Sequence, residues 1–325
     1  MIAYLIRRTL YAVLVLIGIN FVTFFLFFSV NTPDDMARLQ LGGKRVAAEA
    51  IERWKAERGY DKPLYFNPKA SGIGKLTDTV FFESSAGILR MDFGKTVEGR
   101  DIGWELSRRV WPTLAMATPV FIIAVGLSIV FALGMMMFRY SSLDTIGVVV
   151  LVALMSISSL FFIITGQFVF GRLMAVTPLS GYAPAPGMFK FLVLPVAVYV
   201  LSQIGPDTRL YRTIFLEELS KDYVRTARAK GLSESVVLLR HVLRNSLIPI
   251  ITSAGLLLPV LLVGAIVLES FFGIPGLGSF TIDGINNQDF GIVRAMVFFG
   301  SFLYVVTYLL TDFAYAWADP RVRLQ

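Results

Sequence analysis

From Leu10 to Val30 the chain runs "LYAVLVLIGINFVTFFLFFSV" without a charged residue. Buried strands end after about 4–8 residues. A helix of this length, by contrast, rises about 30 Å, the thickness of a bilayer's hydrocarbon core. Further apolar runs give six expected spans: 9–30, 112–138, 146–171, 189–207, 248–270 and 292–316. Only 16% of residues are charged and 55% are hydrophobic, against roughly a quarter charged in soluble domains. The pattern predicts an all-α membrane protein with a long extracytoplasmic segment after its first helix. Three parts are expected: 1–30 (N-terminus and first span), 31–111 (loop) and 112–325 (membrane core, including a cytoplasmic loop at 208–247).

The cationic start "MIAYLIRR" precedes a run too long for a signal peptide's apolar region of about 7–15 residues, and "SVNTPDD" offers no small-residue cleavage site. The expectation is an anchor that stays. Pro119, Pro195 and Pro259 fall inside expected spans, where neighbouring helices can satisfy the carbonyls they free. The fourth span, interrupted by Pro195, Ser202, Gln203, Gly205 and Pro206, is the weakest.

Lysine and arginine set the orientation. The N-terminus (Arg7, Arg8), Arg139, the 208–247 loop and the tail (Arg321, Arg323) hold thirteen cations. The opposite short loops hold three: Arg172, Lys190 and Arg294. Both termini are therefore expected in the cytoplasm. Residues 31–111 carry 14 cations and 12 acids, but loops longer than about 60 residues cross largely regardless of charge. Within them "RVAAEAIERWKAERGYDKP" predicts an amphipathic helix from Arg45 to Arg58, stopped by Gly59 and Pro63, as an outer cap.

The chain has no cysteine and one histidine, His241, which removes disulfides and Cys/His metal sites. No G-x-x-x-x-G-K-[ST] or G-x-S-x-G occurs, so neither a P-loop nor a hydrolase elbow is expected.

One stretch stands apart from the apolar background. "DYVRTARAKGLS" (Asp222–Ser233) carries Arg225, Arg228 and Lys230, with Lys221 just before it. Ser220 is expected to cap a helix that ends at Gly231, and Ser233 to cap a second helix, "ESVVLLRHVLRN". Ala227 and Ala229 thin the first helix, and Leu232 is an apolar tip. Tethering to membrane spans argues against DNA. A basic helix lying on lipid headgroups is one reading; a knob for a soluble partner also explains the alanines, the turn and Leu232.

This segment, followed by "RHVLRNSLIPIIT", resembles the signature loop of integral membrane subunits of ABC importers, of the dipeptide/oligopeptide/nickel class. The family pattern is Glu-Ala-Ala, three residues, Gly, then nine residues before Ile-x-Leu-Pro. Gly231 matches the glycine and Ala227 the second alanine. Arg225 and Thr226 stand at the glutamate and first-alanine positions, as in the Arg-Thr-Ala variant of the peptide importers. "NSLIPI" departs from the family by joining Ile248 directly to Pro249. "YLIRR", "ERGYDKPLY", "MDFGKTVEGRDI", "PLSGY", "LESFFGIPGLG" and "DPRVRL" extend the resemblance along most of the chain.

The resemblance implies a type I importer permease whose loop helix couples to an ATPase, through Asp222, Tyr223, Arg225, Thr226, Ala227, Ala229, Gly231 and Leu232. Its implied partners are a second permease subunit, two cytoplasmic ATPase subunits, an extracytoplasmic substrate-binding protein and membrane lipid, with no nucleic acid. ATP and Mg would sit on the partner subunits, and no cofactor on this chain. The implied setting is a bacterial inner membrane.

Ionisable groups inside spans are functional candidates. Glu269 either faces the path, meeting a cation such as a peptide amine, or orders the turn that follows it. Asp312 is expected to pair with Arg7, Arg8 or Arg321. Gly126, Gly134, Ser156, Ser158, Ser159 and Gly166 form small faces that either pack helices or line a pathway. The Phe-rich first span is expected to face lipid or pack peripherally. A self-sufficient channel or carrier would show inverted repeats and mid-span charge, and no convincing repeat is present. The spans hold nothing suited to a desolvated metal ion, which favours a peptide over nickel.

Overall fold

The computed structural model describes residues 2–43, 46–184, 186–263 and 265–318, the side chains of 2–5 and 316–318 excepted. Among these, every regular element is a helix. The expectations placed on Arg45, Arg321, Arg323 and "DPRVRL" lie outside the described residues. The chain forms two compact units, 1–110 with 280–305 and 111–279 with 306–325. The segment expected as a separate loop, 31–111, is thus grouped up to residue 110 with the first helix and with 280–305.

In the first unit, α1 (Ile2–Val30) leads through Thr32 into α2 (Pro33–Leu41). Thr32 and Asp35 form a reciprocal capping box, with Pro33 in the first turn, where its missing N–H costs nothing. Beyond it come α3 (Ala48–Glu57), α4 (Gly74–Thr77) and α5 (Val80–Leu89). Phe24 and Phe28 of α1 are buried against Met36, Ala37, Ile51, Trp54 and Val80. The first helix is therefore lipid-type on part of its surface only; Phe21 and Phe25 stay exposed. Lys62 bridges Asp78 at 2.9 Å and also Glu83, which holds the Asp78 carboxyl below its ordinary value. Asp289 accepts from the N–H groups of Val97 (2.6 Å), Gly291 (3.0 Å) and Ile292 (3.2 Å), tying the 95–101 turn to the start of the last helix.

The long helices beyond α1 are α6 (Ile102–Met137), α9 (Phe189–Leu219), α12 (Leu243–Val263) and α15 (Phe290–Ala318). Among the described residues, five stretches of helix are long and apolar enough to cross a membrane unbroken: Ile6–Val30, Ile102–Met137, Phe189–Leu219, Glu234–Val263 and Phe290–Tyr315. Two bent pairs accompany them, which gives five to seven candidate spans among the described residues.

The expected third span is broken by 89°. α7 (Ser142–Ser156) stops at extended Ile157, and Ser158 caps α8 (Ser159–Gly166) by accepting from the Phe161 N–H at 3.3 Å. A π-helical segment, Gln167–Leu173, follows. The expected fifth span ends at Val263. Its last residues belong to α13 (Ile266–Phe272), which with α14 (Leu277–Asn286) forms the second pair, bent by 87°.

The fourth span is stronger than its prolines suggest: α9 runs through Pro195 and Pro206 to Leu219. Tyr211, Phe215 and Leu219 recur every four residues and are all buried, so one apolar face carries the helix past the last apolar run. Gly166 shows that its small face serves packing, since a Cβ there would lie 2.7 Å from Val198 of α9.

Candidate functional site

The second unit presents the loop helix α10 (Asp222–Ala229). Because α9 continues to Leu219, the loop between helices is 220–233, shorter than the expected 208–247. Ser220 is not its cap: Ser220 ends α9, its hydroxyl donating to the Glu217 carbonyl, and Lys221 is the first flanking residue of α10. Ser233 does flank α11 (Glu234–Val236), without a side-chain bond to that helix's amides. The expected second loop helix is not separate. α11, a π-helical segment (Val237–Val242) and α12 are continuous, forming one helical stretch from Glu234 to Val263.

The end of α10 follows the expectation at Gly231. Its backbone is left-handed (φ +77°), the Gly231 N–H donates to Arg228 O at 2.9 Å, and the Leu232 N–H donates to Ala227 O at 3.4 Å. This pair of bonds is a Schellman ending, which satisfies the carbonyls left over at a helix C-terminus. Arg228 closes the turn from outside through two bonds to Glu234, at 2.7 and 3.1 Å, and these hold the guanidinium pKa above its usual value.

With 100° per residue, Asp222, Arg225, Thr226 and Ala229 fall on one side of α10, and all four are exposed. Leu232 extends this face at the tip, 39% exposed. The opposite side is buried: Val224 and Ala227 pack with Tyr211, Phe215 and Leu219 of α9, Ala132 and Met136 of α6, Val237, Leu238 and Val242, and Ile250 of α12. The two alanines are thus separated. Ala229 thins the outward face, whereas Ala227 lets α10 approach the chain's own core. Tyr223 lies between the faces and donates to the Glu218 carboxylate; burial, then this bond, pushes its phenol up to about 12. Val224, the buried anchor, and Glu234 were not singled out from sequence. The 224/227 and 237/238 apolar spacing was the available signal for Val224.

Asp144 in the first turn of α7 accepts from Arg212 of α9 with both oxygens, at 3.0 and 2.9 Å. This pair ties α7 to α9, and it too was missed.

Glu269 is fully buried, at 0% exposure. Thr113 donates to its Oε1 at 2.9 Å and the Ser279 N–H donates to its Oε2 at 2.9 Å, while the Thr113 hydroxyl accepts from Leu277 N–H at 2.8 Å. The carboxylate lies inside the bend "GIPGLG", where a Cβ on Gly276 would fall 2.5 Å from both Glu269 and Thr113. The geometry is that of a turn held by a buried acid. Thr113 lies 156 residues away in sequence, so nothing local announced it. Ser156 and Ser158 are exposed at the bend of α7 and α8, where Ser156 bonds back to Val152 O at 2.8 Å and Ser158 caps.

Residues 109–324 match the family described as binding-protein-dependent transport system inner membrane component, and residues 1–83 match the N-terminal part of the same kind of component. A Brucella abortus (strain 2308) protein named as a peptide transport system permease is 31% identical over 99% of both chains. The oligopeptide transport system permease protein AppB of Bacillus subtilis (strain 168) is 29% identical over 99% of both. The glutathione transport system permease protein GsiC of Salmonella choleraesuis (strain SC-B67) is 30% identical over 90% of both. With one family covering its whole helical core, this chain belongs to the binding-protein-dependent inner membrane components, the permease subunits of ABC importers.

Proposed function

We propose that this permease forms half of the translocation path of an ATP-driven importer of peptides, and that it takes its drive through the outward face of α10. The observation that carries the reading is the two-sidedness of that helix. Asp222, Arg225, Thr226, Ala229 and Leu232 are exposed, while Val224 and Ala227 are set into one core with α6, α9 and α12. Close-packed interiors transmit displacement instead of absorbing it, so a push on α10 moves the ends of three long helices together.

Hydrolysis of ATP, with its Mg, belongs on two ATPase subunits below, and delivery belongs to a binding protein on the opposite face. A second permease subunit completes the path, and both termini lie with α10 in the cytoplasm. The peptide assignment is supported by relatives named for peptide, oligopeptide and glutathione transport.

Purification of the tagged chain from its native membrane in mild detergent, followed by mass spectrometry, tests the assembly. Two P-loop ATPases and a second permease are expected in the same peak. The chain alone under several detergents would favour an ATP-independent carrier. For the substrate, reconstituted uptake of labelled short peptides should need the binding protein and ATP together.

A further inference from the structure

Residues 174–182, which follow the π-helical segment Gln167–Leu173, lie against the first turn of α9: a Cβ on Gly181 would fall 3.1 Å from the Phe191 ring. α10 leaves the other end of that 31-residue helix, about 45 Å away. The segment is bound to the bend after α13. Gln167 Nε2 donates to Leu179 O at 2.9 Å and to Phe271 O at 3.0 Å, so one side chain pins both pieces. The Gly181 N–H donates to Phe272 O at 2.7 Å. Leu179 also packs on Gly171, where a Cβ would lie 2.6 Å from its Cδ2.

The α13 side of this contact is fixed. Glu269 is clamped by Thr113 and Ser279, and Phe272 and Ile274 are buried in one core with α6 and α9. The 174–182 side is held at a cost. Thr177 Oγ1 is buried without a hydrogen-bond partner among the described residues, and Ala175, which carries a Cβ, sits at φ +51°. Both disfavour the closed arrangement, and both are relieved if the segment lifts into water. It also starts from a π-helical turn, a geometry frequent at functional sites. A few bonds opposed by such costs make an element with two arrangements. A permease has to open each end of its path in turn. We propose that residues 174–182 are a strap that parts from the α13 bend in each transport cycle, opening the end opposite α10, and that Gln167 is the positioning residue that latches it.

The chain has no cysteine, so a disulfide can be introduced without background from its own thiols. A Cβ at position 273 would lie 3.7 Å from that of Ser180, inside the disulfide range of about 3.5–4.5 Å. The test places Ser180→Cys and Gly273→Cys together in the assembled importer in proteoliposomes; its readouts, a disulfide and ATP hydrolysis, do not require the substrate to be a peptide. The disulfide should form readily without nucleotide. With ATP and vanadate trapped on the ATPases it should form about tenfold more slowly, as for a strap that is parted in most molecules. Oxidation should abolish the hydrolysis stimulated by the binding protein, and reduction should restore it. Equal rates in both states, or full stimulated hydrolysis with the disulfide closed, would overturn the parting. No disulfide in either state would overturn the latched contact. Gln167→Leu tests the latch without touching Gly273. Loss of its two hydrogen bonds should raise hydrolysis in the absence of the binding protein about fivefold, whereas general damage would lower it. An unchanged or lowered rate would overturn Gln167 as the latch.

Discussion

Gly231 and Gly276 are required for opposite reasons. A Cβ on Gly231 would meet no atom within 4 Å, yet its φ of +77° is one that side-chain-bearing residues occupy at a cost. Gly231→Val should therefore lose about 1–3 kcal/mol locally through backbone strain alone, while Gly231→Asn, which tolerates this region, should lose less. The expected phenotype of the valine variant is normal membrane insertion with transport and stimulated ATP hydrolysis both reduced, measured in proteoliposomes; normal values for both would remove the turn from the coupling path. At Gly276 the limit is space. Gly276→Ala drives a methyl group to within 2.5 Å of Glu269 and Thr113, an overpacking that costs about 1–3 kcal/mol. Gly126→Ala, with nothing within 4 Å, is the matched control. A lowered unfolding temperature in detergent for the first and an unchanged one for the second is the expected result.

At the scale of elements, what could be read from the sequence tracks how local the cause is. The end of α10 at Gly231 was legible because a Schellman ending depends on a few adjacent residues. The length of α9 was not: the expected span stops at residue 207, where the apolar run ends. The 211/215/219 stripe that prolongs it acts only once another helix is there to cover it. The bend at Ile157–Ser158 was written in a serine cap that was read as part of a small-residue face. The clamp of Glu269 by Thr113 depends on residues 156 apart, beyond any periodicity. Val224 makes the element-level dependence measurable. It is fully buried among residues of α9, α12 and the π-helical segment. Truncating it to alanine should loosen α10 by about 2 kcal/mol, so the amides of the helix should exchange hydrogen about thirtyfold faster. Exchange unchanged across 222–229 would mean that α10 is held by the Arg228–Glu234 pair and not by its buried face.

For the whole molecule, two charge distributions have to be weighed against each other. Thirteen cations fall in the segments expected on the cytoplasmic side (the N-terminus, Arg139, 208–247 and the tail), against three in the opposite short segments, yet the long segment 31–111 holds fourteen. If segment length did not matter, that one stretch would cancel the bias. The first unit gives its cations local partners, as at Lys55 with Asp34 and Glu52 and at Lys62 with Asp78 and Glu83. Long segments cross largely regardless of charge, so lysine and arginine in the short segments should decide the orientation. The absence of cysteine from the natural sequence makes this directly measurable with single additions at exposed positions. With a membrane-impermeant maleimide and intact cells, Ser71→Cys should label at once, and Thr226→Cys only after the membrane is opened. The reverse order would invert the topology and detach α10 from any cytoplasmic ATPase. In the assembled importer, Thr226→Cys should also become protected while Ser71→Cys stays reactive, because the outward face of α10 would then be covered. Protection lost on removing the ATPases, and restored on adding them back, would tie the orientation of the chain to the use of its loop helix in one experiment.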